Sequence, residues 1–148
     1  MMSKPLRVGI AGYGVVGKRR QTFIDAHPHM QTVAVCDQKF DGNGTFDTGV
    51  SYFNHYKPLL DQDLDALFVC LTNDINPSAT IDGLNRGLHV FCEKPPGRTV
   101  EDIKAVIACE ENHPSLKLKY GFNHRYHDSV RDALQIMRFG HLGRVLNM

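Results

Sequence analysis

Three glycines near the start of the chain have the spacing of a phosphate-binding turn. Gly12, Gly14 and Gly17 form a G-x-G-x-x-G pattern between an apolar run and a helix-like stretch. In that context the first glycine permits a tight turn, the second admits a pyrophosphate to the backbone, and the third lets the helix approach the strand. The first residues of the helix, Val15 and Val16, would offer free N–H groups to the phosphates. The context disfavours a glycine-rich turn without a ligand.

An acidic residue, Asp37, follows the last of these glycines by 20 positions. A carboxylate there can accept hydrogen bonds from both adenosine ribose hydroxyls of a dinucleotide, and it would repel a 2′-phosphate. Asp37 therefore predicts NAD as the cofactor and disfavours NADP. The consecutive cations Lys18, Arg19 and Arg20 complicate this preference, because one of them could reach the phosphates. A solvated basic helix face is the preferred interpretation of these three residues.

Polar residues also follow two later apolar runs. Thr72 and Asn73 come after one run, and Glu93 and Lys94 begin a Glu-Lys-Pro sequence after another. Ligands of parallel sheets bind at the carboxyl ends of the strands, so Thr72 and Asn73 could line a cofactor site, although a cap or turn role is equally compatible. A desolvated lysine at that edge could hold or move a substrate proton. Residue types alone favour a surface salt bridge for the Glu-Lys pair.

Alternating strand-like and helix-like segments would position these residues. Six short apolar runs predict strands, at Leu6–Ala11, Thr32–Asp37, Ser51–Phe53, Ala66–Leu71, His89–Cys92 and Lys117–Phe122. Most of them are continuous rather than alternating, as expected for parallel strands that are covered on both faces. The predicted fold is α/β, a Rossmann-type doubly wound parallel sheet with helices on both faces.

Local signals define several of the connecting segments. Asn76 before Pro77 indicates a helix N-cap, and Thr99 with Asp102 resembles a capping box. Gln38–Gly49 is glycine-rich and is predicted to be a mobile loop. Two further helices carry predicted apolar faces. These faces are Val100, Ile103, Val106 and Ile107 in one, and Val130, Ala133, Leu134 and Met137 within 128–139 in the other.

Composition excludes several classes of protein. The chain has 148 residues and a net charge of +1, which disfavours a nucleic-acid binder that relies on positive charge. No apolar run is long enough to span a membrane. The four cysteines are widely spaced, as in a reduced, cytoplasmic protein. His124 and His127 have a helical spacing, but too few further ligands accompany them to predict a metal site. The remaining histidines, His55 among them, are expected in loops.

Several of these segments together resemble the glucose–fructose oxidoreductase/inositol dehydrogenase (Gfo/Idh/MocA) family, over nearly the whole chain. The Glu-Lys-Pro sequence is the most specific element. The matching segments are RVGIAGYGVVGKRR at 7–20, VAVCD at 33–37, DALFVCLTN at 65–73, GLHVFCEKPPGRTVEDI at 87–103, GFNHRY at 121–126 and HLGRV at 141–145. The resemblance implies that 1–140 form the N-terminal NAD(P)-binding domain and that 141–148 begin a C-terminal α+β domain, which is absent.

The resemblance also implies roles for individual residues. Lys94 would be catalytic, next to the nicotinamide and the substrate hydroxyl, and Glu93 would help to bind the cofactor. Asn123 would lie near the nicotinamide, with His124 and Arg125 near the substrate. The full-length enzyme would be a homo-oligomer that transfers a hydride between NAD and a hydroxyl-bearing carbon of a sugar, sugar derivative or cyclitol. The chain alone would be inactive.

Two other functions remain open at this stage. A non-catalytic NAD-binding regulatory or sensor module would suit the short chain, but it would not require the Glu-Lys-Pro sequence. A methyltransferase that binds S-adenosylmethionine could also use a glycine-rich turn and an acidic residue after the second strand. It too leaves the Glu-Lys-Pro sequence unexplained. A titration with NADH and with S-adenosylmethionine would distinguish an NAD-binding protein from such a methyltransferase.

Overall fold

A seven-stranded sheet forms the centre of the protein in a computed structural model, which describes residues 4–140, 143, 144 and 146. The strands are β1 (Leu6–Ala11), β2 (Met30–Cys36), β3 (Gly44–Thr45), β4 (Ser51–Phe53), β5 (Ala66–Val69), β6 (His89–Cys92) and β7 (Leu118–Tyr120). The helices are α1 (Val15–Asp25), α2 (Tyr56–Leu59), α3 (Asn76–Asn85), α4 (Val100–Glu111) and α5 (Asp128–Arg138), with a 3₁₀ turn at Asn123–Tyr126.

The strand order confirms the predicted doubly wound topology. The order is β3-β4-β2-β1-β5-β6-β7, and every neighbouring pair except β3 with β4 is parallel. The chain reverses direction across the sheet at β1, and a crevice opens at such a reversal beyond the carboxyl ends of the strands. The register places Ala11 opposite both Cys36 and Val69, so the three central strands end at one level.

Residues of alternating orientation on the strands form two core layers. On one face Leu67, Val69 and Leu84 are fully buried, the last of them from α3. On the other face Val8 and Ile10 pack with Ile24 of α1. The sheet therefore has helices on both faces, as predicted, and both layers leave the carboxyl edge of the strands open to ligands.

The segment predicted as a mobile loop contains β3, the one strand of the sheet that the sequence analysis missed. Gly44–Thr45 pairs antiparallel with β4. Phe40, Phe46 and Tyr52 form an aromatic cluster beside it, with ring centroids 4.7–5.8 Å apart. Aromatic contacts of this kind stabilise a strand too short to be recognised from its own residues.

Two predicted helix features have different outcomes. Thr99 and Asp102 form the predicted capping box at the start of α4. The assignment of Asn76 as an N-cap is wrong, because α3 begins at Asn76 itself and Ile75 occupies the cap position. The Asn76 side chain is buried and donates hydrogen bonds to other parts of the chain.

The predicted apolar faces of α4 and α5 are only partly covered. On α4, Val106 is buried, whereas Val100 is 64% exposed. No residue of α5 is buried, and Leu134, on its predicted apolar face, is 38% exposed. The predicted segment at 141–148 lies mostly outside the described residues. In the part of the chain that the structure describes, no helix is both long enough and apolar enough to cross a membrane.

Candidate functional site

A cleft of about 290 Å³ lies at the carboxyl edge of the sheet, where the strand order reverses. Segments that follow four neighbouring strands form its walls. The lining residues are Gly12, Gly14, Cys36, Asp37, Gln38, Asn54, His55, Tyr56, Cys70, Leu71, Thr72 and Ile75. Of the residues predicted from the sequence, the cleft thus brings together Gly12, Gly14, Asp37 and Thr72.

The glycine turn has different steric requirements at its three glycines. Gly12 has φ +96°, and a Cβ atom there would lie 2.3 Å from the carbonyl oxygen of Cys70. A Cβ atom on Gly17 would lie 2.0 Å from the carbonyl oxygen of Gly12. A Cβ atom on Gly14 would meet no atom of the described residues within 4 Å. Gly12 and Gly17 are therefore required by the fold, whereas the open space at Gly14 belongs to the cleft.

The start of α1 faces this turn without a side-chain cap. Gly14 is the N-cap residue, so the first N–H groups of the helix receive no side-chain hydrogen bond there. Val15 and Val16 occupy the first turn and are 77% and 44% exposed. Free N–H groups and the positive end of the helix dipole attract anions, phosphate in particular.

Asp37 lies directly after β2 and lines the cleft. Its backbone N–H donates to the carbonyl oxygen of Phe53, and its Oδ1 accepts a hydrogen bond of 3.0 Å from the N–H of Lys39. These contacts fix the loop and leave the other carboxylate oxygen, Oδ2, without a hydrogen bond among the described residues. A half-buried carboxylate in this position can accept hydrogen bonds from vicinal hydroxyl groups.

The residues after β5 lie at the opposite wall of the cleft. Thr72 lines it, and its hydroxyl donates to Asp74, lowering the pKa of that exposed carboxyl. Asn73 is exposed and lies outside the lining. The carbonyl of Thr72 also accepts the N–H groups of Ile75 and Asn76, which connects the cleft wall to the start of α3.

His55 lines the cleft, although the sequence analysis predicts only that it lies in a loop. Its Nδ1 accepts a hydrogen bond from the N–H of Lys57 and so caps α2, and its ring stacks on Tyr56 at 4.8 Å. Asn54 and His55 follow β4, which neighbours β2 in the sheet. The rule that ligands lie beyond strand ends, applied to β4 as to the other strands, could have identified both residues.

The Glu-Lys-Pro sequence follows β6 and lies next to the cleft rather than in its lining. The Lys94–Pro95 peptide bond is cis. Lys94 is exposed, and within the described part of the chain no carboxylate pairs with it. Glu93 is instead 9% exposed and pairs with Arg20 of α1. The prediction of a salt bridge between Glu93 and Lys94 is therefore wrong. The interpretation of Arg20 as part of a solvated basic helix face is wrong as well.

The turn after β7 is exposed and carries one residue predicted near the nicotinamide, Asn123, as well as the two predicted substrate residues. Asn123, His124 and Arg125 belong to the 3₁₀ turn, outside the cleft lining. Next to them, Lys119 Nζ donates to the Tyr126 hydroxyl at 2.7 Å, which lowers the pKa of that phenol. The rings of His124 and His127 stack at 4.9 Å. The described residues include no group of three or more metal-binding side chains.

The cysteines near the cleft are neutral thiols at pH 7. Burial raises the pKa of Cys36 to about 11 and that of Cys70 to about 12, and nearby acidic groups contribute in the same direction. Cys92, in β6, has a pKa raised by burial to about 11. A thiol must ionise to act as a nucleophile, so these three residues contribute apolar surface rather than reactivity.

The site therefore fits a dinucleotide on its own chemistry. Open space above Gly14 and uncapped N–H groups on α1 suit a pyrophosphate, and Asp37 suits a ribose. Lys94 lies two strands from the glycine turn, on the side of β6.

Comparisons with known proteins agree with this geometry. The family model described as an oxidoreductase family with an NAD-binding Rossmann fold, GFO_IDH_MocA, matches residues 6–122. The D-glucoside 3-dehydrogenase of Escherichia coli is 29% identical, over 98% of this chain and 42% of its own length.

Solved structures give the same result. A myo-inositol 2-dehydrogenase from Lactobacillus plantarum superposes with a TM-score of 0.82 at 28% identity, covering 96% of this chain and 43% of its own. A scyllo-inositol dehydrogenase from Lactobacillus casei, solved with NAD(H) and scyllo-inositol, has a TM-score of 0.81 at 28% identity and covers 95% and 43%. The chain thus spans less than half the length of these relatives.

Proposed function

Because the chain belongs to the Gfo/Idh/MocA oxidoreductase family, we propose that it is the N-terminal NAD-binding domain of a two-domain dehydrogenase. The complete enzyme would transfer a hydride between NAD and a hydroxyl-bearing carbon of a sugar, sugar derivative or cyclitol. The observation that carries this proposal is the cleft itself, in which the glycine turn and Asp37 meet at the reversal of strand order. The polyol and sugar dehydrogenases among the relatives support the substrate class.

Each part of the cofactor has a proposed partner in this chain. The turn at Gly12, Gly14 and Gly17 and the first N–H groups of α1, at Val15 and Val16, would hold the pyrophosphate. Asp37 would accept from the adenosine ribose. Thr72, Asn73, Glu93, Lys94 and Asn123 would lie along the nicotinamide half. When bound, the nicotinamide supplies the hydride transfer.

Lys94 is the residue to which we assign acid–base chemistry. Its Nζ would donate a hydrogen bond to the reacting hydroxyl and would hold or move the proton as the carbon is oxidised or reduced. An exposed ammonium that pairs with no carboxylate of the described residues is free to make that contact. His124 and Arg125, on the neighbouring turn, would contact the substrate, with the rest of the pocket supplied by the second domain.

The first prediction concerns Asp37 and the choice between dinucleotides. We expect the chain to bind NADH more tightly than NADPH, because the carboxylate repels a 2′-phosphate. Asp37→Ala should cost about 1.5–3 kcal/mol for the lost charge-assisted hydrogen bond, which is roughly a 10- to 150-fold weaker affinity for NADH. Fluorescence titration with both dinucleotides measures this. Asp41→Ala, which removes an exposed acid of the same loop that lies outside the cleft lining, is the matched control. Wild-type chain that binds NADPH as tightly as NADH would contradict the assignment.

The second prediction concerns turnover by the 148-residue chain. We expect it to bind NADH and to show almost no dehydrogenase activity, because positioning of the substrate supplies much of an enzyme's rate and this chain holds only part of the proposed pocket. NAD reduction with myo-inositol, scyllo-inositol and a glucoside should be followed at 340 nm. Turnover near the typical range of about 1–1,000 per second would contradict the need for a second domain.

A further inference from the structure

Arg20 connects the helix of the glycine turn with the segment that carries Lys94. It lies in the second turn of α1, and its Nε donates to Oε1 of Glu93 at 2.6 Å, while Nη2 contacts the same oxygen. The guanidinium also lies over the ring of Phe91 at 4.9 Å. The side chains of Arg20 and Glu93 are 24% and 11% exposed. Lys18 and Arg19, the two preceding cations, are exposed and make no such pair within the described residues.

The Glu93 carboxylate is fixed from its other side as well. A Cβ atom on Gly121 would lie 2.8 Å from Oε2 of Glu93, so the carboxylate packs directly against the backbone after β7. The N–H of Glu93 donates to the carbonyl oxygen of Val69 at 2.8 Å. Residue 93 is therefore held by α1, β5 and the end of β7 together, and the position of the next residue, Lys94, depends on all three.

Asn76 holds the two carbonyl groups that flank Lys94. Its Nδ2 donates to the carbonyl oxygen of Pro95 at 3.0 Å and lies 3.5 Å from that of Glu93. The residue is 1% exposed, and its Oδ1 has no hydrogen-bond partner among the described residues. The buried Asn76 amide is therefore held through its donor, which contacts both carbonyl groups.

We propose that Arg20 and Asn76 are positioning residues that hold residues 93 and 95, so that Lys94 Nζ stays at the nicotinamide end of the cleft. This inference rests on the proposed function, which places the nicotinamide near Lys94. It also assigns Arg20 a role other than phosphate binding, because its guanidinium is already engaged by a buried carboxylate. The helix that would bind the pyrophosphate is then connected, through Arg20 and Glu93, to the segment that carries the acid–base residue.

Nuclear magnetic resonance of the 148-residue chain with bound NADH tests this directly. With ¹³C-labelled lysine, nuclear Overhauser cross-peaks report short distances between the Lys94 side-chain protons and the nicotinamide ring protons. The signals that disappear in Lys94→Arg are assigned to Lys94. We expect the wild type to show these cross-peaks. We expect Arg20→Met and Asn76→Leu to lose them, while the contacts between the adenine protons and the cleft remain. A purely structural role would lower the melting temperature without moving Lys94 away from the nicotinamide.

The controls separate the possible failures. Arg19→Met, a neighbouring exposed cation, should keep the cross-peaks. Should Arg20→Met fail to fold, Arg20→Lys decides, because lysine keeps the charge but lacks the planar guanidinium that reaches Glu93 and stacks on Phe91; weakened cross-peaks support the proposal. Folded variants with unchanged cross-peaks would overturn the positioning role alone. Wild-type chain that binds NADH without any Lys94 cross-peak would overturn the placement of Lys94 in the proposed function, and the positioning role with it.

Discussion

Replacing Lys94 with alanine in the complete two-domain enzyme is expected to lower the rate of hydride transfer by roughly 10²–10⁴, the usual contribution of a positioned acid or base. The affinity for NADH should be nearly unchanged, because the proposed pyrophosphate and ribose contacts lie in the cleft, whose lining does not include Lys94. Single-turnover absorbance at 340 nm separates the chemical step from binding.

Lys104→Ala is the matched control for that experiment. Lys104 is another exposed lysine, on α4, and it lies outside the cleft lining. Its removal should change neither rate nor affinity. A Lys94→Ala enzyme with normal hydride transfer would end the assignment of Lys94 as the acid–base residue, whereas a loss of NADH affinity alone would make it a binding residue.

Substitution by alanine should affect the stability of the protein at Gly17 but not at Gly14. Gly17→Ala should destabilise the fold by about 3 kcal/mol or more, because the new methyl group meets the backbone of Gly12, which cannot move aside. For a chain of this size that loss lowers the melting temperature by roughly 10 °C. Gly14→Ala should leave the melting temperature unchanged, because nothing lies within 4 Å of the added carbon.

Binding should show the opposite contrast. The methyl group of Gly14→Ala would project into space that belongs to the cleft, and we expect the affinity for NADH to fall about tenfold or more, or at least 1.4 kcal/mol. Calorimetric melting and NADH titration of both variants measure the two effects. A destabilised Gly14→Ala, or a Gly17→Ala with wild-type stability, would contradict the steric account of the turn.

The sequence predicts the fold well where the signal is local. The bounds of β1, β4 and β6 match the predicted runs, and the order of six strands follows from their alternation with helices. The glycine turn and Asp37 could be identified because both the spacing and the flanking elements are fixed by the chemistry of phosphate and ribose binding.

The sequence fails where a residue acts through a distant partner. Arg20 and Glu93 are 73 positions apart, so their pairing could not be read from the basic run or from the Glu-Lys pair. β3 is two residues long and depends on aromatic contacts with β4. Asn76 has the residue type of a cap, but its side chain is buried against two distant carbonyl groups. In each case tertiary contacts override the local preference.

Isothermal titration of the 148-residue chain with NADH and, separately, with S-adenosylmethionine tests the central claim most directly. The account predicts that one NADH binds per chain and that S-adenosylmethionine gives no heat of binding at the same concentrations. Both ligands could use a glycine-rich turn and an acidic residue after the second strand, so the titration compares them at the same cleft. A chain that folds and binds S-adenosylmethionine, or that binds no NADH, would contradict the assignment of the cleft as a nicotinamide-dinucleotide site.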